Sequence, residues 1–511
     1  VCEALASAHA AAAEMVDIDL LVRVVVHIHR EACSRDGGDG GDGAILVFVP
    51  GWFEIAEAIK GLGACAVCSE LTVIPLHSRM PTAEQATIFA PPPNGTRKVI
   101  VSTVMAETSI TVEDVVYVVD SGRTKMTFVN ESSLVSALRT TYYAKSSGLQ
   151  RRGRAGHCRP GAWYRLFSSF QWASMDEYAL PEMQRAPLEE LCLEVAGLEL
   201  GAPAPFLAHT ISPPKPEAVA HAVGLLHRLG AVEEASGATL TPLGEKLARL
   251  QVHPMLGKML LLGGLFGCVQ PVLTVCASLG YKSPFLCPMG KEAEANAAKR
   301  ALAADSDSDH VALVNALDGW MRDRGRFASR HFLSSQSLEY ISRLRSDLSD
   351  GARELLHKLP PDLPDDRQLA DVLSATLVAG LYPNLAWLRR WGKGETCAGL
   401  KVVAHPGSVN ARASGSLVVF YDIQETTDRY MYDTSVVQMG PCLLFAPDLA
   451  VVRRTGTRTT MRIGGWSVAV DTPAADELLA LRSSLAEFIQ RTVGEPPHPG
   501  HREATEALRR A

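Results

Sequence analysis

Ala44-Ile45-Leu46-Val47-Phe48-Val49-Pro50-Gly51 is an unbroken apolar run halted by proline and glycine. A strand wet on one face alternates polar and apolar residues. A run without alternation reads as a strand buried on both faces, the habit of parallel sheets. Three runs of the same kind follow, at Leu71 to Leu76, Lys98 to Thr103 and Val115 to Val119. Helical spacing separates them, at Glu54 to Gly61 and Thr82 to Phe89. Upstream, residues 1–29 are helical in pattern, with Leu20, Leu21, Val24, Val25 and Ile28 on one face, and Asp36 to Gly43 is a glycine-rich loop. Strands alternating with helices predict an α/β domain.

The pattern changes near residue 180. Leu188 to Leu198, Pro216 to Leu229 and Pro242 to Leu250 are amphipathic helices with short links, and 254–350 continues as helices. Leu240-Thr-Pro-Leu-Gly244 reads as a β-wing cluster leading into a helix start. Pro360 to Asp366 is a linker by composition. Short strands return at Leu400 to Ala404, Ser416 to Ile423, Arg429 to Tyr432, Leu443 to Phe445 and Thr459 to Ile463, as in a small barrel. Ala474 to Gln490 is one more amphipathic helix, and a polar tail follows Pro496.

The chain has 511 residues, 47% hydrophobic and 21% charged, and a net charge of −6. Its length suits about three domains. A basic protein would announce a nucleic-acid partner, and this one does not do so globally. Locally it does, at Arg151, Arg152, Arg154, Arg159 and Arg165. Phosphate contacts act within about one Debye length, roughly 8–10 Å, so the local pattern carries more weight. Eleven cysteines without a framework suit a reducing, intracellular compartment. Cys65 and Cys68 form a single C-x-x-C, which reads as ordinary thiols. The most apolar stretch, Met259 to Val275, is interrupted by Gly263, Gly264, Gly267 and Pro271 and reads as buried helix rather than a membrane span. Val1-Cys2 lacks an initiator Met and a signal-peptide pattern, which predicts an incomplete or processed sequence.

Gln150-Arg-Arg-Gly-Arg-Ala-Gly-His157 carries the chemistry. Glycine admits close backbone approach, and guanidinium forks match phosphate oxygens. An arginine brought to a transferring phosphoryl group stabilises the charge that develops there, by several kcal/mol.

This octapeptide, with Pro160-Gly161 and Tyr164 to Phe167, resembles motif VI of the DEAH-box (DEAH/RNA helicase A-like) ATP-dependent RNA helicases. Lys98 to Thr111 resembles motif V and runs into the similar Val115 to Gly122. Ile45 to Gly51 resembles motif IV, and Leu76 to Gln85 with Ile88-Phe89 the segment after it. Further on, Thr241 to Gly244, Leu256 to Leu260, Tyr281 to Phe285, and Asp305 to His310 with Asn315 and Trp320 resemble the winged-helix and ratchet region. Ala379 to Asn384, His405 to Asn410 and Tyr430 to Thr434 resemble the OB-fold region.

The resemblance covers about residues 15–450. It implies a multidomain fold: a second RecA-like helicase domain at 1–180, a winged helix at 181–250, a helical ratchet at 251–365, a β-barrel OB-fold at 366–465 and a C-terminal helix and tail at 466–511. For the site it implies Gln150 at the attacking water or γ-phosphate and Arg154 as arginine finger, with Arg151 and His157 in the same catalytic motif. Phe89 would stack on adenine, with Glu113 near the ribose. Ser109 and Thr111 would couple nucleotide state to RNA. Thr103 would touch an RNA phosphate, and His405, Ser408 and Asn410 would lie in an RNA-facing loop. Read from the residues alone, that loop is equally a turn held by Asn and Ser side chains.

The chain departs from the family in two places. His157 stands where the motif ends in a second arginine; an imidazole is shorter and offers fewer donors, which predicts slower turnover. Val104 stands where asparagine is common. No G-x-x-x-x-G-K-[ST] and no Asp-Glu-x-His occur in the 511 residues. Those elements cradle the phosphates and Mg²⁺ of ATP from a first RecA-like domain, so the chain alone is expected to be inactive.

The implied function is ATP-driven 3′-to-5′ translocation on RNA and its unwinding, with RNA and a G-patch-type or other activating protein as partners and no membrane. The rival readings are a non-catalytic RNA-binding relic or scaffold and a DNA-directed translocase. Nucleus and cytoplasm are not distinguished.

Overall fold

The computed structural model describes residues 16–35, 43–77, 80, 85–93, 95–108, 112–129, 136–156, 160–234, 236–250, 252–288, 290–356 and 362–494. Ser109, Thr111, His157, most of the glycine-rich loop and the first two residues of the linker at 360–366 lie outside them. The chain divides into two units, Val1–Phe128 with Leu138–Pro181, and Val129–Ala137 with Glu182–Ala511.

In the first unit, helix α1 (Ile18–Arg35) precedes strand β1 (Ala44–Phe48), α2 (Trp52–Gly63), β2 (Leu71–Leu76), β3 (Arg97–Ser102), the short α3 (Met105–Thr108) and β4 (Val115–Asp120). Strands β5 (Arg123–Val129) and β6 (Ser136–Tyr142), whose Val129 and Ser136–Ala137 belong to the second unit, helix α4 (Lys145–Ala155), β7 (Ala162–Arg165) and α5 (Ser169–Ser174) complete it. The sheet order is β2-β3-β1-β4-β7, and every pair is parallel. All of β1 is buried, as its lack of alternation predicted. Ile45 and Val47 pack with Leu21, Val25, Ile55 and Leu62 on one face of the sheet. Leu46 and Phe48 pack with Ile88, Ile100, Val118 and Ala155 on the other. Asp17 caps α1 through Oδ1, which accepts the Leu20 N–H at 2.8 Å. Of the helix predicted at Thr82 to Phe89, Gln85 is helical and Ala86–Phe89 form a 3₁₀ turn, with 82–84 outside the described residues.

Gly161 joins α4 to β7. A Cβ there would lie 2.1 Å from the Ala155 carbonyl oxygen and 2.2 Å from that of Val116, so only glycine lets helix and strand approach this closely.

The second unit is helical first: α6 (Glu189–Gly197), α7 (Pro203–Ala208), α8 (Pro216–Leu229), α9 (Pro242–Arg249), α10 (Pro254–Phe266), α11 (Val269–Leu279), α12 (Glu292–Ala303), α13 (Asp309–Arg322), α14 (Arg324–Arg330), α15 (Ser335–Leu356) and α16 (Asp366–Leu381). Proline opens α8 and Gly230, at φ +76°, closes it. A Val232–Leu240 bridge forms the wing before α9, whose N-cap Thr241 hydroxyl accepts the Gly244 N–H at 3.0 Å. The apolar stretch Met259 to Val275 is interior helix broken by Gly267, which takes the left-handed conformation between α10 and α11. Met259, Leu260, Val272, Trp320, Ile341 and Val378 share one core.

Strands β8 (Leu385–Arg390), β9 (Lys393–Thr396), β10 (Lys401–Ala404), β11 (Ser416–Val419), β12 (Asp422–Glu425), β13 (Arg429–Tyr432) and β14 (Ser435–Val436) follow. They run in the order β14-β11-β8-β9-β10-β13-β12, and Ser136 and Ala137 pair in parallel with Gln424 and Glu425. Leu443 to Phe445, predicted as strand, belongs to helix α17 (Met439–Phe445). Pro441 fits a first helical turn, and a three-residue apolar run does not distinguish the two periods. A meander of β15 (Ala450–Thr455), β16 (Arg458–Ile463) and β17 (Trp466–Asp471) leads into α18 (Thr472–Gly494), so residue 465 falls inside the β16–β17 turn. No helix among the described residues is long and apolar enough to cross a membrane.

Candidate functional site

Helix α4 sorts its polar residues by helical phase. Gly148, Arg151 and Ala155 point inward, while Gln150 and Arg152 are exposed. Gln150 and Arg154, four apart, share a face. Arg151 is only 1% exposed. Its Nε donates to Glu107 Oε2 at 2.9 Å, and its Nη1 donates to Asp120 Oδ1 at 3.0 Å and to the Arg123 carbonyl at 3.2 Å. The rings of Phe48 and Tyr143 cover the guanidinium at 4.8 and 4.4 Å. Burial works against this charge, and Asp120 and Glu107 outweigh it, so the Arg151 pKa stands above its ordinary value. Asp120 also accepts from the Gly122 N–H, the Tyr143 hydroxyl at 2.7 Å and Trp163 Nε1 at 3.2 Å. Burial and then Asp120 push the Tyr143 phenol well up, which keeps it a donor.

These contacts correct one expectation. Arg151 has no open face for a phosphate; it is the strut beneath the motif, where the Glu107 and Asp120 carboxylates offset the cost of burying its charge. Arg154 is half-buried and donates from Nε to the Glu107 carbonyl at 2.8 Å. Glu107 thus binds Arg151 by its side chain and Arg154 by its backbone.

Phe89 is 59% exposed, while its neighbour Ile88 is fully buried. The Phe89 ring is therefore presented outward and is no part of the core. Glu113 is exposed as well. Lys98, buried at the start of β3, ties the two turns together: its Nζ donates to the Ile88 carbonyl at 2.8 Å and pairs with Asp114 Oδ2 at 2.9 Å. The sequence reading passed over Lys98 as the first residue of an apolar strand. A lysine adjoining such a run was the available signal. Thr103 is nearly buried at the end of β3, whereas Val104 beside it is exposed.

In the second unit Ser408 and Asn410 are buried, which corrects their expected place on an RNA-facing surface. Ser408 Oγ donates to Asp309 Oδ2 at 2.6 Å, and Asn410 Nδ2 donates to the Asp307 carbonyl at 3.0 Å and to Thr434 Oγ1 at 2.9 Å. Asp309 also pairs with Lys299 at 2.8 Å. Burial alone would raise the Asp309 pKa; Lys299 and the donors from Ser408 and Val409 reverse that and hold it below the usual carboxylate range. The loop is thus a clasp between α12, α13 and the strand layer. His405 is half-buried, stacked on Tyr432 at 4.5 Å, and its Nδ1 accepts the Gly407 N–H at 3.0 Å.

A different surface of the same sheet is open and largely basic. Arg389, Arg390, Trp391, Lys393, Glu395 and Lys401 line an open groove of about 600 Å³. Trp391 and Gly392 form the two-residue turn between β8 and β9, both at positive φ, +53° and +68°. Glycine is at home there and tryptophan is strained. Trp391 is nevertheless 59% exposed. A strained, exposed aromatic among cations fits base stacking beside phosphates. No recognisable motif marks this turn, so the sequence reading missed it. Among the described residues no cluster of His, Cys, Asp and Glu is arranged to hold a metal.

Comparison with known proteins agrees with this layout. Residues 33–159 match the helicase conserved C-terminal domain, 253–313 the ratchet-like helicase associated domain (HA2), and 373–449 the oligonucleotide/oligosaccharide-binding (OB)-fold. The chain is 36% identical over 513 residues to the human ATP-dependent DNA/RNA helicase DHX36, covering 95% of this chain and 50% of that protein. It is 37% identical over 499 residues to the Arabidopsis thaliana DExH-box ATP-dependent RNA helicase DExH1, covering 94% and 49%. To the mouse ATP-dependent RNA helicase DHX29 it is 34% identical over 479 residues, covering 88% and 34%. The chain spans about half the length, or less, of these relatives.

Proposed function

This chain carries the domain set of the C-terminal portion of the DEAH-box helicases, and from that premise we propose that it supplies the second motor domain and the nucleic-acid grip of an ATP-dependent RNA helicase. One observation carries the reading: Gln150 and Arg154 share an outward face of α4 while Arg151 is locked beneath them by Glu107 and Asp120. ATP, with Mg²⁺ and the phosphate cradle supplied by a partner motor domain, provides the cleavable anhydride. Phe89 would stack on the adenine and Glu113 would lie near the ribose. Gln150 would orient the attacking water, and Arg154 would offset the charge developing on the γ-phosphoryl group. Ser109 and Thr111 would pass the nucleotide state to the RNA. Movement would run 3′ to 5′, with the Trp391 groove holding the strand by stacking and charge. A G-patch-type protein is a further proposed activator.

The test is RNA-stimulated ATPase activity of the full protein that contains this chain. Arg154→Ala should lower kcat on the order of 10³-fold with an unchanged melting temperature. His157→Arg should raise it. Wild-type turnover in the Arg154 variant would remove the finger assignment, and no turnover in the unmodified protein would favour the scaffold reading. Because one relative's name includes DNA as well as RNA, stimulation by the two polymers should be compared; preference for DNA would favour the translocase reading.

A further inference from the structure

The meander β15-β16-β17 has one covered face and one open face, and no residue of it belongs to the Trp391 groove. On the covered side Met461 and Ile463 are fully buried in the core with Ala475 of α18. Arg454 stands on that side, opposite Thr459, and pairs with Asp476 of α18 at 2.8 Å. Side chains alternate along a strand. The open face therefore carries Arg458 and Arg462 of β16, Arg453 of β15, and Ser467, Ala469 and Asp471 of β17. All three arginines are exposed. None of them forms an ion pair among the described residues. Asp471 lies opposite Arg458 in the register without closing on it.

This charge is concentrated. Ala450 to Asp471 holds four arginines and one acid in a chain of net charge −6. Arg458 and Arg462, four apart on one strand, are separated by roughly 13 Å of backbone. Arg453 lies opposite Thr460, midway between them, and so about 8 Å from each. Like charges at that spacing are within one Debye length, roughly 8–10 Å, and repel each other until an anion bridges them. Charge on an edge strand guards against unwanted strand pairing, which accounts for Arg453 on β15. It does not account for Arg458 and Arg462, because β16 is the central strand.

The shape of the face narrows the anion. Serine, alanine and threonine keep it flat between the arginines, and it carries no aromatic ring on which a base could stack. A phosphate backbone is held by charge and guanidinium forks alone. An acidic peptide would find no apolar pocket here for its other side chains. The meander is also tied to the groove strand. The Gly465 N–H donates to the Cys397 carbonyl at 2.7 Å, and a Cβ at Gly464 would lie 2.7 Å from the same oxygen. Cys397 directly follows β9, which carries Lys393 of the groove. Four residues separate Lys393 from Cys397 and three separate Gly465 from Arg462, so the two basic surfaces lie within about 30 Å of each other.

We propose that the open face of this meander binds the phosphate backbone of a nucleic acid through Arg453, Arg458 and Arg462, without reading bases, as a second contact beside the Trp391 groove. It rests on the nucleic-acid reading above and not on the groove itself. The test uses the full protein that contains this chain. A blunt RNA duplex and single-stranded oligouridine are titrated over a salt series and followed by fluorescence anisotropy. Joint replacement by Arg453→Gln, Arg458→Gln and Arg462→Gln should weaken binding of both. It should lower the slope of log affinity against log salt by about 0.9 per arginine on the duplex and about 0.7 on the single strand. The melting temperature should not change. Arg458→Gln alone, with one such step, serves if the triple variant melts lower. Trp391→Gly should weaken oligouridine and leave the duplex as it was. If Trp391→Gly changes neither while the arginine variants weaken both, the groove assignment fails and the meander stands. Unchanged affinity and slope in the arginine variants, tighter binding of polyglutamate than of either RNA, or no binding of RNA by the unmodified protein would overturn the proposal.

Discussion

Arg151 and Arg154 sit three residues apart on one helix in opposite surroundings. Sequence spacing assigned both to a phosphate, and only the packed neighbours of α4 separate them. Removing one partner of a buried ion pair leaves an uncompensated charge and costs about 3–5 kcal/mol. Arg151→Ala should therefore destabilise the first unit by that much in denaturant unfolding; a change under about 1 kcal/mol would show that Glu107 and Asp120 do not depend on it. His310 makes a second prediction. It is fully buried, its Nδ1 lies 2.6 Å from Ser435 Oγ, and burial holds its pKa at about 4. The unfolded chain has the ordinary value near 6.5 and takes up the proton first as pH falls. Stability thus drops between pH 6.5 and 4, by on the order of 3 kcal/mol for this one ring. Asp433 nearby, pushed up to about 6 by burial, works in the opposite sense over roughly pH 6 to 4, while Lys299 and Asp309 keep their charges. Melting of His310→Gln should fall less from pH 7 to pH 5 than that of the unmodified chain. A parallel decline would remove His310 as the source.

At the scale of the element, the β8–β9 turn sets stability against binding. Trp391 occupies a left-handed position that glycine takes without strain. Trp391→Gly should raise stability by about 1 kcal/mol. It should also weaken single-stranded RNA binding by about 1–3 kcal/mol, the loss of one stacked base. Melting curves and fluorescence anisotropy check the two halves; a variant that is less stable and binds equally well would refute both. Elements were legible where periodicity was long. Strand β2 at Leu71–Leu76 and helix α8 at Pro216–Leu229 fall on their predicted bounds. Several short elements were not. Strands β8, β9, β15 and β17 went unread, and α17 was mistaken for a strand, because two or three apolar residues in a row fit either period.

For the molecule as a whole, net charge and local charge diverge. The chain carries −6, yet Arg389, Arg390, Lys393 and Lys401 gather on one groove. Replacing Arg390 or Lys393 by Gln should reduce the slope of log affinity for single-stranded RNA against log salt by about 0.7 each, measured between low and physiological salt. An unchanged slope would place the phosphates elsewhere. The sequence by itself determined the fold class, the buried parallel strands and the family, because apolar periodicity and Gly-Arg motifs are local signals that survive without a partner. It did not determine which polar residues face water. Ser408 is drawn inward by Asp309 and Asn410 by the Asp307 carbonyl, 99 and 103 positions away along the chain, and Lys98 acquires its role only where the Ile88 carbonyl and Asp114 converge on it. Burial and charge compensation act through space, between residues distant in sequence, and those are what the tertiary structure decided.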